Sequence, residues 1–294
     1  MIFSEHNKFE NSKSINQQDN NTVNPHLVKI KNQEKNYADL DIFGIKKIYP
    51  TIKEGFEWFM NNSDPKSDPY LHNYKNIVKN KDGSYNIGER SRMSVYSKDG
   101  IGYSEGNMET YDFTKLSNKG YWYKPTDWKN VEITGEYLYR EGKGPGITHY
   151  ARSEDHSTIN NGCGGSSYKL KIHFDGTSSI SKEQSHPKPW TIYVNKDPLV
   201  SDKLDKDNWF RFKGIIYNLP DGTVKLEHWL DPYLNNTWIK IAEYQDKGGW
   251  GKDGNKCQGK EDHIITWGSP IVTFRWDDAL VDFRNLSVRE IQPS

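Results

Sequence analysis

Two stretches place basic and hydroxyl side chains at alternate positions: Lys169, Lys171 and His173 in SYKLKIHF, then Arg211, Lys213 and Tyr217 in FRFKGIIYN. Successive side chains of a β-strand point to opposite faces. The companion residues Tyr168, Leu170, Ile172 and Phe174, with Phe210, Phe212 and Ile216, are therefore expected to fill a core. That leaves a cationic sheet face, a surface suited to an acidic polymer. The matching chemistry is proton transfer on an anionic sugar: a cation neutralises the uronate carboxylate, a base removes the adjacent proton and an acid protonates the leaving oxygen. A tyrosine, with an ordinary pKa of about 10, needs nearby positive charge to act as a base near neutrality. Arg211 and Lys213 are the expected source of that charge for Tyr217.

Further candidates crowd the segment from position 147 to 190, which holds four of the nine histidines of the chain. His149, Arg152 and His156 precede the first basic strand, and Lys182, Gln184 and His186 alternate onto one side after it. No HxH or HExxH spacing occurs, so zinc is not expected. Asp277, Asp278 and Asp282 sit near a strand end and are calcium candidates; no other cofactor is expected. In TVKLEHWLDP, Trp229 falls on the polar side of an alternating strand, where an indole can stack on a sugar ring. Trp190 and Tyr193 are similar candidates. A retaining glycosidase would need paired carboxylates on one strand, and no such triplet is present. There is likewise no nucleophile elbow and no phosphate-cradling glycine loop after a strand.

The elements that must carry these residues read as strands. Twelve short apolar runs rich in Val, Ile, Thr and aromatics, GFEWFM through VDFRNLSVREI, are separated by turn signals such as KDG, PDG and HFDG. One of the twelve is YWYKP at 121–125. Long helical periodicity is missing, and the regular spacing predicts an all-β sandwich or barrel. In NVEITGEYLYR, Val131, Ile133 and Tyr137 alternate with Glu132, Thr134 and Glu136, which predicts a half-exposed strand. Residues 1–36, dominated by Asn, Gln, Lys, Ser and Glu, are expected to be a flexible leader, with the folded domain from 37 to 294.

The 294 residues balance 40 Lys and Arg against 40 Asp and Glu, so the overall field gives no reason to expect nucleic acid as a partner. No apolar run is long enough for a membrane-spanning helix. Cys163 and Cys257, both in Gly- and Asn-rich loops, are expected to form a disulfide, which implies an extracellular or cell-surface location. N-glycosylation sequons begin at Asn20, Asn61, Asn235 and Asn285.

Three segments, in order, resemble the alginate-lyase group of polysaccharide lyases, family seven. GERSRMSVYS is similar to the family's Arg-Ser/Thr-Glu-Leu-Arg strand, KLKIHF to its Gln-Ile-His strand, and FKGIIYN to its Tyr-Phe-Lys-Ala-Gly-x-Tyr-Asn-Gln strand. The resemblance implies a concanavalin-like jelly-roll β-sandwich of two antiparallel sheets. It implies Arg90, with Arg92 as the competing alignment, as the carboxylate-neutralising residue, His173 as the catalytic histidine and Tyr217 as acid or base. Lys171 stands where the family has Gln, and Arg92 where it has Glu. The stretch PIVTFRWDDALVDFRNLSVREI resembles the closing strands of laminin-G-like and other concanavalin-like domains, with the last strand expected beside DIFGIKKIY. The expected function is cleavage of an acidic, uronate-containing polysaccharide by β-elimination. The alternative is a carbohydrate-binding, lectin-like module without catalysis.

Overall fold

The computed structural model describes residues 39–74, 76–97, 128–153, 167–183, 190–195, 204, 206–250 and 264–293, the 190–195 segment as backbone only. Fifteen strands follow in order: β1 (Glu57–Phe59), β2 (Leu71–His72), β3 (Val78–Lys79), β4 (Tyr85–Asn86), β5 (Ser91–Tyr96), β6 (Val131–Gly142), β7 (Gly146–Ser153), β8 (Ser167–His173), β9 (Ser178–Glu183), β10 (Trp190–Asn195), β11 (Trp209–Asn218), β12 (Val224–Asp231), β13 (Ile239–Asp246), β14 (Ile271–Trp276) and β15 (Ala279–Glu290). They form two antiparallel sheets packed as a jelly-roll sandwich; alternation and turn spacing predict a sandwich or barrel, and the resemblance implies the jelly roll. The eight-stranded sheet runs β13-β12-β11-β6-β15-β4-β3, with β1 also on β15, and the seven-stranded sheet runs β10-β9-β8-β7-β14-β5-β2.

The inner faces are the apolar halves of the alternating strands. Tyr168, Leu170 and Ile172 of β8 meet Phe210, Phe212 and Ile216 of β11 in one continuous core with Ile147, Val272, Phe274, Val281 and Phe283. Burying a side chain of this size stabilises the fold by about 1.5–3 kcal/mol each before conformational entropy is counted. Close approach needs glycine at two points. A Cβ on Gly144 would lie 1.8 Å from the Asp277 carbonyl oxygen, and one on Gly146 2.0 Å from that of Ile172. Without side chains there, the β6–β7 turn can pack against the β14–β15 turn at Gly144 and β7 can lie close against β8 at Gly146.

Several expectations change. β9 is a full strand although SSISKE lacks an apolar run, because Ile180 faces inward and Ser179 and Ser181 face out beside β8. Glu132, Thr134 and Glu136 are buried, not half-exposed: Ile48 and Tyr49 close over Glu132, and the Arg211 and Arg284 side chains hold Glu136. Ile48 and Tyr49 donate backbone N–H groups to Glu132 Oε2 at 3.1 and 3.4 Å, and Ile45 beneath is wholly buried. The last strand pairs with β1, in register Trp58↔Val288, and bridges Thr51 to Ile291, so its partner lies beyond DIFGIKKIY. The segment 121–125, the proposed leader, and Cys163 and Cys257 lie outside the described residues.

Candidate functional site on the seven-stranded sheet

Cross-strand register sets the polar side chains of six strands in rows on the outer face of the seven-stranded sheet. One row reads Ser179, Lys171, Thr148, Arg275, Arg92 across β9, β8, β7, β14 and β5. The next reads Ser181, Lys169, Tyr150, Thr273, Ser94, His72, ending on β2. His173 extends the face opposite Gly146. Each row exists because every second residue of an antiparallel strand faces the same way and neighbouring strands lie about 4.8 Å apart.

The charges on this face are mostly tied to one another. Asp277 accepts from Arg92 Nη2 at 2.6 Å and from Arg275 Nε at 2.8 Å, and Arg90, largely exposed, approaches the same carboxylate at 3.6 Å. Burial opposes ionisation of Asp277, but the two guanidinium groups outweigh it and hold its pKa below the usual range. Arg275 Nη1 donates to Tyr150 Oη, and Lys169 pairs with Glu183 while its Nζ sits 4.8 Å from the Tyr150 ring centroid. Burial pushes the Tyr150 phenol up to about 12, so it is protonated near neutrality despite the neighbouring Arg275 and Arg92.

Lys171 is different. It is half-buried, pairs with no described residue, and has its pKa lowered by burial and then by the Arg275 and Lys169 charges. Beside it, His173 Nδ1 lies 3.0 Å from the Pro145 carbonyl and Nε2 lies 2.9 Å from Ser179 Oγ. A carbonyl only accepts, so Nδ1 carries the proton and Nε2 keeps its lone pair, accepting from the serine. Burial and then the Lys171 charge lower the His173 pKa, and the ring is neutral at pH 7. Among the described residues the face thus offers a cation without a partner, an imidazole base and a protonated phenol, spread over three successive rows of the sheet.

The other basic strand points elsewhere. Arg211, Lys213 and Tyr217 lie on the outer face of the eight-stranded sheet, on the far side of the sandwich from His173, because β11 belongs to that sheet. Arg211 Nε donates to Glu136 at 2.7 Å and Nη1 to Asp231 at 3.2 Å. Lys213, only 1% exposed, pairs with Glu132, which also holds Arg289 at 2.9 Å. Tyr217 donates to Glu227 Oε1 at 3.2 Å and contacts Tyr49, and burial raises its pKa strongly. These charges neutralise one another beneath residues 41–51. Tyr217 and His173 therefore cannot flank one sugar, and Arg211 and Lys213 are not groove residues.

Three more expected groove residues are internal. Arg152, wholly buried with φ +56°, donates Nε to the Lys129 carbonyl at 3.0 Å and Nη1 to that of Ile265. His149 is buried against Phe212, its Nε2 2.8 Å from Tyr137 Oη. Lys182 faces inward and pairs with Asp246 at 2.8 Å, both fully buried. Trp229 donates Nε1 to Glu227 at 2.8 Å on the eight-stranded side, with Lys240 Nζ 5.1 Å from its ring. Of the calcium candidates, Asp277 pairs with three arginines and Asp282 binds Arg140 at 2.8 Å and Asn86 at 3.1 Å, while Asp278 is exposed at φ +52° in the β14–β15 turn. Among the described residues no cluster of His, Cys, Asp and Glu could hold a metal. His156, Gln184 and His186, and the side chains of Trp190 and Tyr193, lie outside the described residues. Tyr150, Arg275 and Glu183 were not singled out from the sequence, although ITHYARS and VTFRWD alternate like the strands that were.

No family model and no curated protein matches the chain. Solved structures with a similar arrangement include a galectin-like protein of unknown function from Bacillus subtilis, at 12% identity and TM-score 0.43 over 84% of this chain and 100% of that one. The carbohydrate-binding module CBM66 from Bacillus subtilis matches at 9% identity and TM-score 0.40, over 76% of this chain and 98% of its own. A mutant of the alginate lyase Aly36B in complex with alginate tetrasaccharide matches at 9% and 0.40, over 81% and 94%.

Proposed function

We propose that the protein binds an acidic, uronate-containing polysaccharide across the outer face of the seven-stranded sheet. The observation that carries this reading is Lys171, a half-buried cation with no described partner beside Arg275, Lys169 and His173. A buried cation without a counter-charge is costly, and a ligand carboxylate is the group that relieves it. Among the described residues, the cations Arg92, Arg275, Lys169 and Lys171 pair with two carboxylates, Asp277 and Glu183, and positive charge is left over on these rows although the whole chain is neutral. Binding is measured by calorimetry against alginate, polyglucuronate and pectate, with a neutral glucan as control. Affinity for the polyuronates alone, weakening with salt, supports the reading; equal affinity for the neutral glucan overturns it.

A second reading, cleavage by β-elimination, is favoured by the neutral His173 next to that cation. Lys171 and Arg275 would neutralise the uronate carboxylate and acidify the C5 proton. His173 Nε2 would take that proton, its electron pair would form the C4–C5 double bond, and the C4–O bond would break. Tyr150 would give its proton to the departing oxygen. The product carries an unsaturated uronate that absorbs in the ultraviolet. Appearance of that chromophore makes the protein a lyase; binding without it makes the face a carbohydrate-binding module.

A further inference from the structure

The sequons that the sequence displays are sorted by their geometry. At Asn235, between β12 and β13, the side-chain Oδ1 accepts from the backbone N–H of Thr237 at 2.9 Å, and both residues are exposed. The asparagine carbonyl is thus fixed toward the third residue of its own sequon, Thr237. The amide Nδ2 has no described partner and faces solvent. The turn is held from behind, since Asp231 accepts from the N–H groups of Asn235 at 3.2 Å and Asn236 at 2.8 Å. Asn61, after β1, repeats the arrangement: its Oδ1 accepts from Ser63 N at 3.0 Å at an exposed turn, and its Nδ2 makes only a 3.3 Å bond to exposed Ser67.

Asn285 is the opposite case. It lies within β15 at φ +53°, its Oδ1 is held by Asn62 Nδ2 at 2.6 Å, and Ser287 of the same sequon is fully buried. A glycan there would have to displace the β1–β15 pairing. Asn20 lies outside the described residues.

We propose that Asn235, and secondarily Asn61, are N-glycan acceptor sites, while Asn285 is not. The donor is a lipid-linked pyrophosphate oligosaccharide. Asn235 Nδ2 attacks the anomeric carbon, an N–C bond forms, the C–O bond to pyrophosphate breaks, and the amide proton passes to a transferase carboxylate. Asn61 follows β1 and Asn235 joins β12 to β13, all strands of the eight-stranded sheet. Glycans at these turns would be rooted in that sheet and leave the cationic rows of the other one uncovered. This inference rests on turn geometry and is independent of what those rows bind.

The test is transfer to the folded full-length protein by a single-subunit oligosaccharyltransferase and a lipid-linked oligosaccharide, read by intact mass. Peptide mapping after enzymatic deglycosylation in heavy-oxygen water then locates the acceptors. The expected result is a glycan at Asn235, a lesser fraction at Asn61 and none at Asn285. Asn235→Gln and Thr237→Ala should each lose the main mass increment while their circular dichroism stays that of the parent protein. An unmodified Asn235, in a reaction that glycosylates an acceptor peptide, overturns the proposal, as does modification at Asn285 in the folded protein.

Discussion

At the scale of single residues, Lys171 and His173 separate binding from chemistry. Lys171→Met removes the unpaired cation while keeping a long side chain, and should weaken polyuronate binding by about tenfold or more, since a charge-assisted hydrogen bond contributes roughly 1.5–3 kcal/mol. Stability should not fall, because no described partner is orphaned. Calorimetry and thermal melting on the same variant check both halves. If elimination occurs, His173→Gln should abolish chromophore release with binding retained. The His173 pKa is lowered, so the unprotonated base persists below pH 6.5 and activity should be lost only at more acid pH than for an ordinary histidine. Tyr217→Phe should leave both activities intact and cost about 1 kcal/mol of stability, because its hydroxyl serves Glu227 and Tyr49 on the far side of the molecule. The alternation that exposes Lys169, Lys171 and His173 was legible in the sequence. Which sheet β11 joins was not, because a period of two says which residues share a face without saying whether two strands share a sheet.

At the scale of elements, the turn between β6 and β7 is predicted to control the site from a distance. Gly144→Ala would drive a methyl group into the Asp277 carbonyl, and the turn would have to shift. Asp277 anchors both Arg92 and Arg275, so its movement should disorder one cationic row and weaken polyuronate binding, together with a stability loss of a few kcal/mol. Gly222 is the control: φ is +82° but nothing lies within 4 Å of its would-be Cβ, so Gly222→Ala should cost only the roughly 1–2 kcal/mol of a left-handed residue and leave binding unchanged. Comparing the two by melting and calorimetry distinguishes a steric lever from backbone strain. Strand existence was largely readable from alternation and turn residues, as for β8, β11 and β12. The exceptions are β9, where serines and lysines replace the apolar run, and the two-residue strands β2, β3 and β4, too short to show a period. The burial of Glu132 and Glu136 was hidden for another reason: partners remote in sequence accompany it, Ile48 and Tyr49 at the first and Arg211 and Arg284 at the second.

At the scale of the whole molecule, the sandwich holds two histidines in its core where a charge cannot be accommodated. His149 on β7 and His228 on β12 approach the Phe212 ring from the two sheets, with centroid distances of 4.6 and 5.4 Å, and both are fully buried. Neither nitrogen of His228 has a hydrogen-bond partner, nor does His149 Nδ1. Burial lowers both pKa values, that of His228 to about 3, with the charge of His173 adding to it. Both groups are thus depressed relative to an unfolded chain that takes up protons near pH 6.5. As pH falls below that value the unfolded state binds protons that the native state refuses, so stability is complete above about pH 6.5 and declines toward about pH 3. Glu132, whose pKa burial would raise but the Lys213 and Arg289 charges lower, adds a further loss of the same sign only below its ordinary value of about 4.5. The two contributions are separable because their windows begin about two pH units apart. His228→Leu should flatten the urea-unfolding free energy between pH 6.5 and 4.5 by about 2 kcal/mol relative to the parent protein, while leaving the contribution of His149 and the steeper fall below pH 4.5 in place. An unchanged slope across the upper window would show that protons enter the core without opening the sheets.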